Sequence, residues 1–353
     1  MQMGQAMMCM SRSRATRVML LLAVALIAFF VLHLGVQREA PNCADSLRSL
    51  LHAFGLGAAN ADALHDFVVA QIRLPRALMA VFGGASLGLA GAVMQAAFRN
   101  PLAAPDIVGT SAGAALGGAV AIVAGAASQS LLAVPICSLA GALLATWLVF
   151  LLAGTGNRFS TTGILLAGVA FNLLLGALTT FVVTTQFGNY AASSDVLFWL
   201  MGGLSRSAWP QVAITVVGFL LFSAALLPRL QQLDVLTLGD DSAHSLGVEV
   251  VRARTMLLWV AAGLTAATVA NTGGIAFVGL IVPHLARLIV GPVHRSLLPT
   301  AALLGALVLL LSDLLCRNVP AHWNLPLGVV TSVLGAPYFI VLLRRHRRGE
   351  ELQ

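Results

Sequence analysis

The sequence predicts an all-α, polytopic membrane protein of about ten transmembrane helices, a single domain over residues 1–353. Three observations lead there. Of the 353 residues, 59% are hydrophobic and 9% charged, with mean hydropathy +0.92; soluble domains carry about 25% charged residues, so this chain has little water-facing surface to cover. The apolar residues fall in successive stretches of roughly 20, the length at which a helix crosses the hydrocarbon core. All 20 basic residues are arginines, and most of them gather in alternate connections between the stretches.

The ten stretches are 18–36, 74–98, 107–126, 131–153, 162–185, 211–227, 255–269, 275–290, 298–315 and 327–343. The first is aliphatic and follows Arg12, Arg14 and Arg17. The second and third hold Gly83, Gly84, Gly88, Gly91, Gly113, Gly117 and Gly118. Lipid gives helices little hydrophobic drive to associate, so small residues that admit close backbone approach supply packing instead. A part in helix movement is the sharper reading of the same glycines. The eighth stretch is short and interrupted by Pro283.

Orientation follows from the arginines. With the N-terminus in the cytoplasm, Arg12, Arg14, Arg17, Arg99, Arg158, Arg229, Arg252, Arg254, Arg287, Arg295, Arg344, Arg345, Arg347 and Arg348 fall inside. Arg38, Arg48, Arg73, Arg76, Arg206 and Arg317 fall outside. Fourteen against six obeys the positive-inside rule, and an even number of spans puts both termini in the cytoplasm.

Two connections stand out. Residues 191–208 contain FWLMGGL, too short to span and rich in apolar residues, which suits a short helix at the outer interface. Residues 231–250 are polar and cytoplasmic; Gly239, Ala243 and Gly247 recur every fourth residue and would share one helix face, small enough to sit in a partner's groove. Residues 84–114 faintly echo residues 305–336 with opposite direction across the membrane, the pattern of an inverted repeat.

Several chemistries are excluded or weakened. The absence of lysine removes a Walker A loop, so any ATP that drives this chain is hydrolysed elsewhere. Scattered arginines suit membrane topology and not nucleic acid. Cys9, Cys43, Cys137 and Cys316 show no metal-ligand spacing and read as small hydrophobes. No HExxH or GxSxG occurs, and no span holds two acids. Asp313 is the carboxylate deep in an apolar run, a thin basis for an ion-driven secondary transporter. His284 beside Pro283 reads as structural.

From RLPRALMAVFGGASLGLAGAVMQAAFRNPLAAPDIVGTSAGA (73–114) onward, the chain resembles the permeases of the iron-siderophore, haem and cobalamin importers, the type II ABC importers. The likeness returns in order at 164–168, FWLMGGL, LGDDSAHSLGV (238–248), GGIAFVGLIVPHLARLIVGPVHRSLLP (273–299) and LPLGVVTSVLGAPYF (325–339). The resemblance implies two ten-helix permease subunits, here a homodimer, enclosing a central path in the inner membrane. Two cytoplasmic ATPase subunits would carry ATP and Mg, and a periplasmic binding protein would deliver cargo. This chain would bind no cofactor or metal of its own and perform no catalysis.

The resemblance also implies residue roles. Arg73, Arg76 and Arg317 match outward arginines that engage carboxylates of the binding protein; guanidinium forks suit such docking. Leu238, Gly239, Asp240, Ala243, Leu246 and Gly247 match the coupling helices that seat on the ATPase. The fifth helix lines the path, which points to Asn172, Thr179, Thr180, Thr184 and Gln186, although such groups also bond neighbouring helices. Asp313 matches a family aspartate, which implies helix packing or capping. Asn324 departs from the family, where a glutamate often precedes the LPxG element. The wording PDIVG and FWLMGGL leans toward ferric siderophores, with haem and then cobalamin as alternatives.

Overall fold

The computed structural model describes residues 2–36, 43–53, 55, 63–153, 161–186, 190–320 and 323–350. Arg38 and Arg158 lie outside them, as do the side chains of Cys9, Arg12, Cys43, Arg344, Arg345, Arg347 and Arg348. Among the described residues every regular element is helical. In chain order these are α1 (Gln2–Gly35), α2 (Cys43–Ala53), α3 (Ala63–Val68), α4 (Leu74–Ala97), α5 (Thr110–Val123), α6 (Ala126–Gln129), α7 (Ala133–Ala153) and α8 (Thr161–Thr184). There follow α9 (Tyr190–Leu200), α10 (Trp209–Leu226), α11 (Leu230–Thr237), α12 (Asp240–Ser245), α13 (Val250–Thr272), α14 (Val278–Val290), α15 (His294–Asn318) and α16 (Leu327–Glu350).

Seven helical stretches are long and apolar enough to cross a membrane, and three shorter apolar helices, α5, α14 and the first half of α16, accompany them. Each of the ten lies on one of the predicted stretches. They alternate in direction, so that the start of α1 and the end of α16 lie at the same end of the bundle. That end, which also holds α11 and α12, is here termed inner, following the arginine bias; the opposite end is outer.

α4 and α13 form the centre, with 83% of their most apolar windows buried, against 17% for α1 and α8 at the rim. Small residues let the central helices touch backbone to backbone. A Cβ placed on Gly84 would fall 2.2 Å from the Gly305 carbonyl oxygen, and one on Gly305 would fall 2.2 Å from that of Gly84. Gly91 meets Gly279 more closely still, at 1.7 Å. Gly84 and Gly305 open the two stretches that echo each other in sequence, and their contact is reciprocal.

Local rules set the helix ends. The chain runs from α3 into α4 through a π-helical turn, Val69–Arg73, and Pro75 sits in the first turn of α4. α9 stops at Leu200, short of the predicted 191–208 helix. Gly202, with φ +75°, takes a left-handed conformation, and Gly203 donates its N–H to the Thr272 carbonyl, 2.8 Å away, which locks the chain to the end of α13. α2 and α3, which sequence periodicity did not mark, form a small hairpin over the outer end, where Ser49 donates to Asp66 at 2.6 Å.

Candidate functional site

The functional candidates lie at three depths. At the outer end a cavity of about 610 Å³ is lined by Arg76, Arg206, Asp313, Arg317 and Phe198, and by Asn324 at the turn into α16. Arg76 closes a fork on Asp313: Nε lies 2.8 Å from Oδ2, and Nη2 lies 2.8 Å from Oδ1. His33 Nε2 sits 2.8 Å from the same Oδ2. Arg317 donates to the His33 carbonyl at 3.0 Å. One carboxylate, 1% exposed, thus ties α1, α4 and α15 together. The packing role expected for Asp313 is what the geometry shows, built from partners hundreds of residues away.

The three expected docking arginines are not equivalent. Arg76 and Arg317 face the outer cavity, although both also hold partners inside the fold. Arg73 is only 5% exposed, and its Nη1 donates to the Leu34 carbonyl at 2.7 Å. Arg73 closes the π-helical turn, and its guanidinium lies against the end of α1.

At mid-depth a second cavity, about 450 Å³, lies between the end of α9, the 274–276 linker and the first turns of α16. Asp106 and Ser111 line it with Ser332 and Gly328. Asp106 belongs to the short 3-10 turn Pro105–Val108 that precedes α5. Sequence reasoning quoted this stretch only as a motif and missed the acid; the signal available was a carboxylate four residues before an apolar helix, with Arg99, seven residues earlier, the nearest opposite charge in sequence. Asn172 donates to the Asp106 carbonyl at 2.9 Å, so this expected path residue clamps a neighbouring turn. Thr179 is buried and, like Thr180, bonds back to its own helix, at 2.8 Å and 3.0 Å. Thr180 and Thr184 are exposed on α8, and Gln186 is half-buried past its end.

At the inner end α11 and α12 form a hairpin against the ends of α4 and α13. Arg254, 2% exposed, donates Nε to the Ala97 carbonyl at 3.0 Å and Nη2 to Asp240 at 2.7 Å. Arg99 reaches the same Asp240 oxygen at 3.3 Å. The Arg254 hydrogen bond holds the Asp240 carboxyl below the usual carboxylate range, burial opposes it, and the charges of Arg254 and Arg99 add to the lowering. Asp234 meets His294 Nδ1 at 2.6 Å and so pins α11 to α15.

The expected small face on α12 is corrected here. Gly239, at φ +114°, and Gly247, at φ +81°, stand beyond the two ends of the helix and terminate it, because only glycine takes such angles without strain. Ala243 between them is fully buried and points into the bundle. What the hairpin turns outward is Leu238 and Leu246, 65% and 63% exposed.

Among the described residues no cluster of three or more His, Cys, Asp or Glu side chains could hold a metal ion. Cys137 and Cys316 are free thiols.

Known proteins match it along most of its length. The chain is 43% identical over 277 residues to the cobalamin import system permease protein BtuC of Halobacterium salinarum, covering 78% of this chain and 73% of that one. It is 39% identical to the vitamin B12 import system permease protein BtuC of Citrobacter koseri, covering 80% and 84%. A solved structure assigned to the metal-chelate type ABC transporters, in an inward-facing conformation, superposes with a TM-score of 0.81 at 33% identity over 94% of this chain and 99% of that one. The sequence model of the FecCD transport family matches residues 20–345, which include the outer arginines, the Asp106 turn and the inner hairpin. By that match and those identities the chain belongs to the FecCD transport family, as a multi-pass membrane permease of the ABC importer type.

Proposed function

We propose that this permease passes an intact metal chelate from the periplasm to the cytoplasm by alternating access, as one half of a homodimer. Separate ATPase subunits bind ATP and Mg at the inner end, and a periplasmic binding protein delivers cargo at the outer end. Both termini face the cytoplasm of the inner membrane. The observation that supports this best, beside family membership, is the inner hairpin. It is bolted to α4 and α13 through Asp240 and Arg254, yet it presents Leu238 and Leu246 outward. An element held that way moves the bundle when something outside moves it, as rigid-body transitions require.

A corrinoid is the first cargo reading, because the similar permeases from an archaeon and an enterobacterium are both named for cobalamin or vitamin B12. A ferric siderophore is the second. It is favoured by the PDIVG and FWLMGGL wording and by the metal-chelate assignment of the structural neighbour. A carried chelate needs no ligand from the permease, since its metal is already coordinated.

Uptake into proteoliposomes tests the reading. The permease is reconstituted with its ATPase and candidate binding protein and offered cyanocobalamin, ferric siderophores and haem, with and without ATP. ATP-dependent uptake of one cargo is expected. Uptake that ignores ATP and follows an ion gradient would return the chain to the secondary transporters.

A further inference from the structure

Asp106 is an acid at the wrong depth for a loop. Its neighbours measure how far in it lies. Ile107 packs on Gly168 of α8, and the Asp106 carbonyl accepts from Asn172, seven and eleven residues above the inner start of that helix. Pro105 packs on Gly279, which itself touches Gly91 and Leu87, six and ten residues above the inner end of α4. At 1.5 Å per residue both rulers place this turn roughly 9–17 Å inside the bundle. The 98–108 segment therefore re-enters the membrane region and does not cap it.

The carboxylate there is only half-satisfied. Ser111 donates to Oδ1, the one donor to this carboxylate among the described residues. An ionised carboxylate accepts about four hydrogen bonds. Asp106 and Ser111 lie against the 450 Å³ cavity, whose remaining wall is mostly apolar or glycine: Ile275, Met201, Val333, Gly274 and Gly328. Acids at such depth are rare, and those not taken up by a cation partner, as Asp313 is, commonly mark routes for ions, protons or substrates.

We infer that Asp106, with Ser111 orienting it, is a cargo-contacting station on the translocation route that takes N–H or O–H donors, or a positive charge, on the passing chelate. This rests on the transporter reading above. The chemistry that fits is a neutral or cationic chelate bearing free amide N–H or hydroxyl donors. A polyanionic ferric tricatecholate brings like charge and few donors to this carboxyl group in a low-dielectric wall and is disfavoured. The station is a substrate contact, separate from the outer arginines and from the inner hairpin.

The test uses the full permease with its ATPase and binding protein in proteoliposomes, with cyanocobalamin as the first probe and a ferric trihydroxamate as the second. Asp106→Leu and the near-isosteric Asp106→Asn are compared with the native chain for ATP-driven uptake and for ATP hydrolysis stimulated by loaded binding protein. Loss of a charge-assisted hydrogen bond predicts about ten-fold slower uptake for Asp106→Leu and about five-fold for Asp106→Asn. Stimulated hydrolysis should stay within about two-fold of native, because the inner hairpin is untouched. Native-rate uptake by Asp106→Asn and Asp106→Leu would overturn the station and leave the importer intact. A parallel loss of uptake, hydrolysis and melting temperature in both variants would overturn it too, by making Asp106 structural. Native vesicles that import neither probe with ATP would sink the transporter reading, and the station with it.

Discussion

Arg76 holds Asp313 through both carboxylate oxygens, across 237 residues of sequence, and so fixes the outer end of α4 to that of α15. The aspartate is 1% exposed and the arginine 20%. Removing Arg76 leaves this buried carboxylate with His33 as its remaining side-chain partner among the described residues, at a penalty of up to about 3–5 kcal/mol. Arg76→Ala should therefore lower the melting temperature in detergent markedly. Arg76→Lys should recover only part of it, because an ammonium cannot span both oxygens. An Arg76→Ala protein that melts with the native one would refute the tie.

The contact between Gly84 and Gly305 leaves no room for a side chain on either residue. Gly84→Ala places a carbon 2.2 Å from a carbonyl oxygen, and Gly91→Ala places one at 1.7 Å, so the backbones must separate. Overpacking of this kind costs about 1–3 kcal/mol and here acts on whole helices, so values at or above the upper end are expected. Gly176 has nothing within 4 Å, and Gly176→Ala should melt with the native protein. Thermal denaturation of the three variants in one detergent checks the ordering.

At the inner end the pH dependence has a definite sign. The Asp240 carboxyl is lowered by its bond to Arg254, so the folded chain prefers it ionised. Its contribution is fully present above the ordinary carboxylate range and is lost as pH falls through the depressed folded value. Hydrogen exchange of the α12 amides, corrected for intrinsic rates, should be flat from neutral pH down to the carboxylate range and rise below it. Asp240→Asn should show the faster exchange already at pH 7. The effect is modest, since Asp240 is 42% exposed and solvent screens the pair.

Leu238 and Leu246 present apolar surface outside the bundle, and a partner that covers them gains by burying it. Under the coupling proposal, Leu238→Glu with Leu246→Glu should cut ATP-driven uptake about ten-fold or more, as expected for charges forced into an interface core. The melting temperature should not change, because neither side chain packs within the chain. Pull-down of the ATPase subunit separates failed assembly from failed coupling. Uptake at the native rate would move the ATPase contact elsewhere on the inner face.

The spans were legible because hydropathy at helix length is dictated by the bilayer, and even the short α5 and α14 kept enough apolar residues to be seen. Asp313 stood out for the same reason, as a charge in an apolar run. Its partners did not, since His33 and Arg76 reach it only through tertiary packing. The Gly239–Ala243–Gly247 spacing misled because period four marks a helix face only where the helix continues. Here left-handed glycines end it at both sides. Asp106 was missed because polar residues between two spans look like an ordinary connection. Nothing local in sequence says that the connection folds back inside.

The outer arginines separate by where their charge points, and that yields the last prediction. Arg73 is buried and spends its guanidinium on the Leu34 carbonyl, so Arg73→Ala should lower stability through an unpaired carbonyl and lost packing. The folded fraction should bind the periplasmic protein with native affinity. Arg317 faces the outer cavity while it holds the His33 carbonyl. Under the docking proposal, Arg317→Glu puts a negative charge where carboxylates of the binding protein approach. Reversing an interfacial charge should weaken docking about ten-fold or more at low salt, and less at high salt, where screening shortens the reach of the repulsion. Titration of the binding protein onto permease in nanodiscs, at two ionic strengths, reads both variants. Equal affinity for native and Arg317→Glu at low salt would remove Arg317 from the docking surface. A loss with folded Arg73→Ala would mean that the π-helical turn before α4 opens when the partner lands.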